Sequence, residues 1–263
     1  MGEEMKETWL YSINPTLKLM GIVLLFIQVL TIHNINILLN LTLLICLVFF
    51  LFNGFPLKKV ALFLLPFLIV FMSTASSMIF FGKGDTTWFK WGLIHITEES
   101  FFRGIHIGFR ALVFAFLGLL FTLTTKPVLL FYSLMQQAKL KPKYAYSFLA
   151  GYRLIPIMFE EFKVIHQALK VRGINRKKGL ASIPAKLKAY CIPMLSQSIR
   201  RAHRIGVAME AKGFQSNGSR TFYYQVGFST RDFYFVTLFI VLVILSYMIG
   251  INYPYFSIQD VRY

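Results

Sequence analysis

Residues 60–81 read VALFLLPFLIVFMSTASSMIFF, twenty-two consecutive residues without a charge. A helix needs about 20 such residues to cross the hydrocarbon core of a bilayer. The stretch therefore reads as a transmembrane span, and it sets the terms for the rest of the chain. Four further apolar stretches are candidates by length: residues 17–32, at the short end and with Lys18 near its start, then 35–52, 104–124 with Arg110 inside it, and 233–251. Five spans put the two termini on opposite sides. The composition agrees, since 56% of the 263 residues are hydrophobic and only 15% charged, against about 25% charged in soluble domains. The expected fold is all-α and polytopic, with about five transmembrane helices and a cytoplasmic domain built on two long helices.

Lys and Arg in short loops set orientation. The 53–59 loop carries Lys58 and Lys59 and no acid, whereas in 82–103 Lys83, Lys90 and Arg103 are balanced by Asp85, Glu98 and Glu99. This predicts a multi-pass cell-membrane protein with its N-terminus cytoplasmic and its C-terminus external. Glu3, Glu4 and Glu7 make the N-terminus acidic, unlike a cleavable signal. The two cysteines, Cys46 and Cys191, suggest no disulfide framework.

The charge is concentrated. Residues 126–220 hold 18 Lys or Arg and three Glu, which is +15 of the chain's +17. So basic a segment after the fourth span is expected in the cytoplasm. Its length argues for a domain, because long structureless connections are uncommon. The expected division is a four-span bundle over 1–125, a basic cytoplasmic domain over 126–230, and a final transmembrane helix with an external tail over 231–263.

The basic domain repeats itself. Ile155-Pro156-Ile157-Met158 leads to Ala168-Leu169-Lys170-Val171-Arg172-Gly173, and Ile192-Pro193-Met194-Leu195 leads to Ala208-Met209-Glu210-Ala211-Lys212-Gly213. The endings share the pattern Ala-x-x-small-basic-Gly, forty residues apart. Apolar residues at Ile155, Met158, Phe159, Phe162, Ile165 and Leu169, and again at Leu195, Ile199, Ala202, Gly206 and Met209, recur at helical steps. Each half reads as one helix, with Pro near its start, Gly past its end, and Arg172 or Lys212 beside the negative end of its dipole. A basic residue before a terminal Gly is ordinary helix punctuation. Two matched copies point further, to a pair of tips projecting together and docking into acidic grooves of a partner.

At these residues the chain resembles the EcfT family, the transmembrane coupling subunits of energy-coupling-factor ABC importers. Asn14-Pro15-Thr16-Leu17-Lys18-Leu19 looks like the family's motif at the start of the first span, with Pro15 and Lys18 its fixed members. Arg153 through Gly173 is similar to the first coupling helix. Pro193 through Phe214, with Arg200-Arg201-Ala202, is similar to the second. The family usually ends both helices in Ala-Arg-Gly, whereas Val171-Arg172-Gly173 and Ala211-Lys212-Gly213 stand here. Lys keeps the charge and loses the planar fork.

The resemblance implies a non-catalytic subunit that works with two ABC ATPase subunits or domains and a membrane-embedded substrate-binding S component. Uptake of a vitamin, a vitamin precursor or a metal ion would follow. Ala168, Val171, Arg172, Gly173, Ala208, Ala211, Lys212 and Gly213 would dock on the ATPases, with Pro156, Pro193 and Gly206 serving hinge or packing roles. ATP and Mg would bind the partners, and no cofactor or metal is expected in this chain.

The residues themselves leave rivals. A stand-alone secondary transporter would need polar midplane sites that the spans lack. A membrane-tethered nucleic-acid binder could use the +15 domain, but its basic residues are interleaved with amphipathic helices, so no nucleic-acid partner is expected. Adhesion of the basic face to anionic lipid is compatible with docking. No Walker A string exists, the nearest being Gly213 to Arg220, which lacks the Lys. The five His are scattered, and Glu160-Glu161 reads as a solvated or Arg-paired face. Arg110, four residues after His106 and inside the fourth span, either snorkels outward or faces another helix or subunit.

Overall fold

The computed structural model describes residues 8–52, 54–82, 84, 86–91, 94–173, 183–215 and 221–256. After a 3-10 turn at Trp9–Ser12 come α1 (Pro15–Thr31), α2 (Ile35–Phe52), α3 (Leu57–Phe81), strands β1 (Thr87–Trp91) and β2 (Ile94–Thr97), α4 (Glu98–Thr124), α5 (Pro127–Gln137), α6 (Pro142–Val171), α7 (Ile183–Ala211) and α8 (Thr230–Asn252). The chain divides into two compact units. One holds residues 1–133 and 226–263, the other 134–225.

The first unit is the membrane bundle. α2, α3, α4 and α8 are long and apolar enough to span, and α1 is a shorter apolar helix of 17 residues. At 1.5 Å per residue α1 measures about 25 Å against a core of about 30 Å. Ile22, Leu25 and Val29 of α1, Leu38, Leu41 and Phe49 of α2, Val113 and Leu117 of α4, and Phe235 and Phe239 of α8 share one buried cluster. α3 differs: only 6% of its apolar window is fully buried within the molecule, so much of its circumference, above all in its N-terminal half, faces lipid or a neighbour. It still packs closely on α4, because Gly104 and Gly108 remove the side chains that would separate them. A Cβ on Gly108 would lie 2.6 Å from the Phe71 ring, and one on Gly104 2.9 Å from the Ala75 carbonyl. In lipid, where burying oil against oil gains little, such close packing is a main source of helix association.

Two boundaries differ from the sequence expectation. The fourth helix begins at Glu98 rather than near residue 104, because Thr97 caps it: the Ser100 N–H donates to Thr97 Oγ1 at 3.2 Å. Glu98 and Glu99 then occupy its first turn, where the dipole favours acids. The preceding connection, read as a loop, holds the antiparallel pair β1–β2.

The second unit contains α6 and α7, helices of 30 and 29 residues that cross each other. Pro156 and Pro193 lie well inside these helices, a correction to the expectation that each marks a start. The first turn of α6 instead carries Pro142, and α7 has Pro184 at its second residue. An interior proline removes one backbone hydrogen bond, so the carbonyls of Tyr152 and Ala189 lose their usual helical donors.

Candidate functional site

The two basic tips are built alike. α6 ends with Arg172 donating its N–H to the Ala168 carbonyl at 3.0 Å, and α7 with Lys212 donating to Ala208 at 3.2 Å. The chain then turns through Gly173 at φ +76° and Gly213 at φ +71°, the left-handed conformation that glycine adopts without steric cost. Gly213 N–H donates to Glu210 at 2.9 Å and Phe214 N–H to Met209 at 3.0 Å, the paired bonds of a glycine helix stop. A Cβ on either glycine would meet open space. Backbone angle alone therefore demands glycine there. Arg172 and Lys212 are exposed, Val171 is 89% exposed, and Ala211 is open beside Lys212. Neither basic side chain has a hydrogen-bond or ion-pair partner among the described residues.

The tips do not project together. Near their middles the helices meet through Glu161 with Arg201, and through Tyr190, which stacks on Phe162 with ring centroids 5.3 Å apart. Tyr190 Oη also lies 2.8 Å from His166 Nδ1. As α6 advances from Glu161 to His166, its partner runs backward from Arg201 to Tyr190, so the pair is antiparallel. Phe214, just past the second tip, packs edge-on against Tyr146 near the start of α6, with centroids 5.7 Å apart. The first tip is 26 residues further along α6, about 40 Å away. The expected single basic plug is thus replaced by two separate tips at opposite ends of a crossed pair. An antiparallel pairing of two helices that each end in the motif requires this.

The apolar stripes read from the repeat are largely uncovered. Ile155, Phe159, Leu195 and Ile199 are all exposed. α7 has no buried residue, and α6 has only Ala145 and Leu169. Gly206, expected as a packing position, has nothing within 4 Å of where a Cβ would stand. Glu161 takes the Arg-paired alternative expected for the acid pair.

The motif at the start of the first span forms a buried polar knot in the membrane unit. Pro15 begins α1, and Asn14 caps it by accepting from the Thr16 N–H at 3.1 Å. Lys18 is fully buried. Its ammonium donates to the Leu10 carbonyl at 2.7 Å, the Thr124 carbonyl at 3.0 Å and Thr124 Oγ1 at 3.1 Å, satisfying all three protons at the place where α4 ends. Asn14 also accepts from Ser133 Oγ at 2.8 Å and donates its backbone N–H to Asp232 at 2.8 Å. Asp232 in turn accepts from the Ser229 N–H at 2.7 Å and closes a capping box on α8. Asn14 stands in the sequence motif beside Pro15 and Lys18 but without a role of its own, and Ser133 and Asp232 were missed. Asn14 and Asp232 are polar residues at the start of apolar helices, whereas Ser133 lies in the middle of α5 and carries no such signal.

Arg110 turns inward. Its Nη2 donates to the Ile32 carbonyl at 3.0 Å and lies 3.5 Å from that of Leu30. It thus supplies the cation that the last turn of α1 lacks.

Among known sequences, the model of the family described as CbiQ, cobalt transport protein, matches residues 6–224. A protein of Streptococcus equi subsp. equi called energy-coupling factor transporter transmembrane protein EcfT is 28% identical over 257 residues, covering 90% of this chain and 89% of that one. Its namesake from Brevibacillus brevis is 29% identical over 250 residues, covering 91% and 93%. One from Staphylococcus aureus is 27% identical over 196 residues, covering 71% and 72%. The expected resemblance to EcfT proteins is borne out over nearly the whole chain.

Proposed function

The chain belongs to the CbiQ family of cobalt transport proteins, and from this membership we infer that it is the transmembrane coupling component of an energy-coupling-factor importer. It carries no reaction of its own. Two ABC ATPase subunits or domains, holding ATP and Mg, would each receive one helix tip. Their closure on ATP would shift α6 against α7 and so reorient a membrane-embedded substrate-binding subunit. The cargo class would be a vitamin, a vitamin precursor or a metal ion.

The observation that carries this reading is the pair of matched glycine stops at opposite ends of the α6–α7 crossing, each presenting an unpartnered cation. A carbonyl-rich helix end with an adjacent cation suits a groove with acidic walls. A separation of about 40 Å suits two receivers better than one. The uncovered apolar stripes support the third partner, since so large an exposed apolar surface marks an interaction site. The positive-inside rule supports a cytoplasmic setting for the bundle end that carries Lys58, Lys59, Lys126 and Arg231, with the C-terminus external.

Gentle detergent purification of the tagged chain tests the reading. ATPase chains and a small apolar membrane subunit are expected to co-purify, and reconstituted transport is expected to require ATP. Uptake by the purified chain alone, with no ATPase present, would refute it.

A further inference from the structure

A cavity of about 400 Å³, separate from the helix tips, opens in the membrane unit between Thr8, Trp9, Tyr11, Ser12, Lys126 and Arg231. It lies where spans begin and finish, so it sits at the boundary between hydrocarbon and water. Lys18 ties the turn at Leu10 to the end of α4, Asn14 ties the start of α1 to α8, and Trp9 packs on Phe52 at the end of α2.

The walls are preformed. Leu10 is fully buried in the bundle core and fixes the 3-10 turn that carries Trp9, Tyr11 and Ser12. Lys126 holds its ammonium over the Tyr11 ring, 4.9 Å from the centroid. Among the described residues the lining carries two permanent cations, three hydroxyls and no acid. Asp232 is next to Arg231 in sequence, but it is buried and its two oxygens already accept from the backbone at Asn14 and Ser229. α5 begins at Pro127 and α8 at Thr230, so two positive helix ends add to the same field. Trp and Tyr at the rim are the side chains that settle at headgroup depth.

We propose that this cavity seats the phosphodiester headgroup of an anionic phospholipid. Lys126 and Arg231 supply the charge, and the hydroxyls of Thr8 and Tyr11 face the polar part of the headgroup, that of Ser12 already donating to the Trp9 carbonyl at 2.7 Å. A phosphate is the group common to all such lipids, and basic pockets between spans are suited to it.

Native mass spectrometry of the full-length chain, in the assembly with which it purifies, tests the site. The protein is stripped of lipid and offered phosphatidylglycerol or phosphatidylcholine. Each cation near an anionic headgroup gives about a fivefold preference, so the anionic lipid should be retained about thirtyfold better. Lys126→Gln with Arg231→Gln should abolish that preference, and Lys126→Arg with Arg231→Lys should keep it. Lys58→Gln with Lys59→Gln removes two cations elsewhere on the chain and should leave it intact. Equal preference in the Lys126→Gln/Arg231→Gln variant would overturn the proposal, as would equal loss in the Lys58/Lys59 variant. Displacement of the lipid by millimolar inorganic phosphate would also overturn it, by reassigning the cavity to the free ion.

Discussion

Ser133 Oγ donates to Asn14 Oδ1 at 2.8 Å across 119 residues of sequence, and this joins the last residue before the basic unit to the cap of the first span. The same asparagine donates from Nδ2 to the Gly227 carbonyl at 3.3 Å, just after the chain returns at residue 226. One side chain therefore bonds, inside the membrane unit, to residues next to both points where the chain leaves and re-enters it.

Asn14→Ala should lower stability by about 2–3 kcal/mol, because it leaves buried groups without partners. The loss is read as a lower melting temperature of the purified protein. A double-mutant cycle with Ser133→Ala should give a coupling near 1 kcal/mol. Asn14→Asp should not rescue, since a second carboxylate would sit beside Asp232. A coupling of zero would show that the Asn14–Ser133 bond is incidental.

Lys18→Met should be as damaging. Methionine fills a similar volume but abandons the carbonyls of Leu10 and Thr124, at about 1–3 kcal/mol for each buried group left unpaired. Lys18→Arg should fail as well, because a planar fork does not fit a fully buried pocket built around one nitrogen. Yield in membranes and the melting temperature of both variants check this.

These two cases show what the sequence discloses. The long spans were legible because length and apolar composition are local properties that the bilayer reads directly. The tips were legible because a left-handed turn at a helix end strongly favours glycine. Asn14, Ser133 and Asp232 were not legible as a group, since their partnership exists only after residues 119 and 218 positions apart are brought together. The antiparallel sense of α6 and α7 was hidden for the same reason. Two matched motifs look as if they should point one way until a pairing through Glu161 with Arg201 reverses one of them. Pro156 and Pro193 misled because proline favours first turns, yet an interior proline is tolerated in a long helix that loses only one bond.

Gly173 and Gly213 should respond to backbone angle and not to size. Substitution by Ala should cost about 1–2 kcal/mol at each helix end. Asn should cost less, since it enters the left-handed region more easily, and Val should cost more. Protease sensitivity just past each tip checks the order. If Ala and Val are equivalent to Gly, the φ values of +76° and +71° are not what holds these positions.

Charge reversal at the tips separates punctuation from docking. Arg172→Glu should release or uncouple the ATPases while insertion in the membrane persists. Lys212→Glu should do the same to a smaller extent, because an ammonium makes a single-point contact where a guanidinium makes two. Lys212→Arg should preserve or strengthen retention. ATPase co-purification and ATP-driven uptake are the two readouts, and full transport by both Glu variants would reduce the tips to helix caps.

Arg110 provides the most direct test of how the membrane bundle treats a charge. Its guanidinium reaches across from α4 to the carbonyl of Ile32 at 3.0 Å, where the last turn of α1 has no basic residue of its own. A helix end in hydrocarbon leaves carbonyls that water cannot satisfy, so the arginine and the helix end solve one another's problem. Arg110→Leu removes the cost of inserting a charge but orphans the carbonyl, and the second effect should win by about 1–2 kcal/mol. Arg110→Lys keeps the charge and should recover part of the loss. If instead Arg110 only snorkels to the surface, Arg110→Leu should raise the melting temperature and improve insertion, and the sign of that change decides between the two roles.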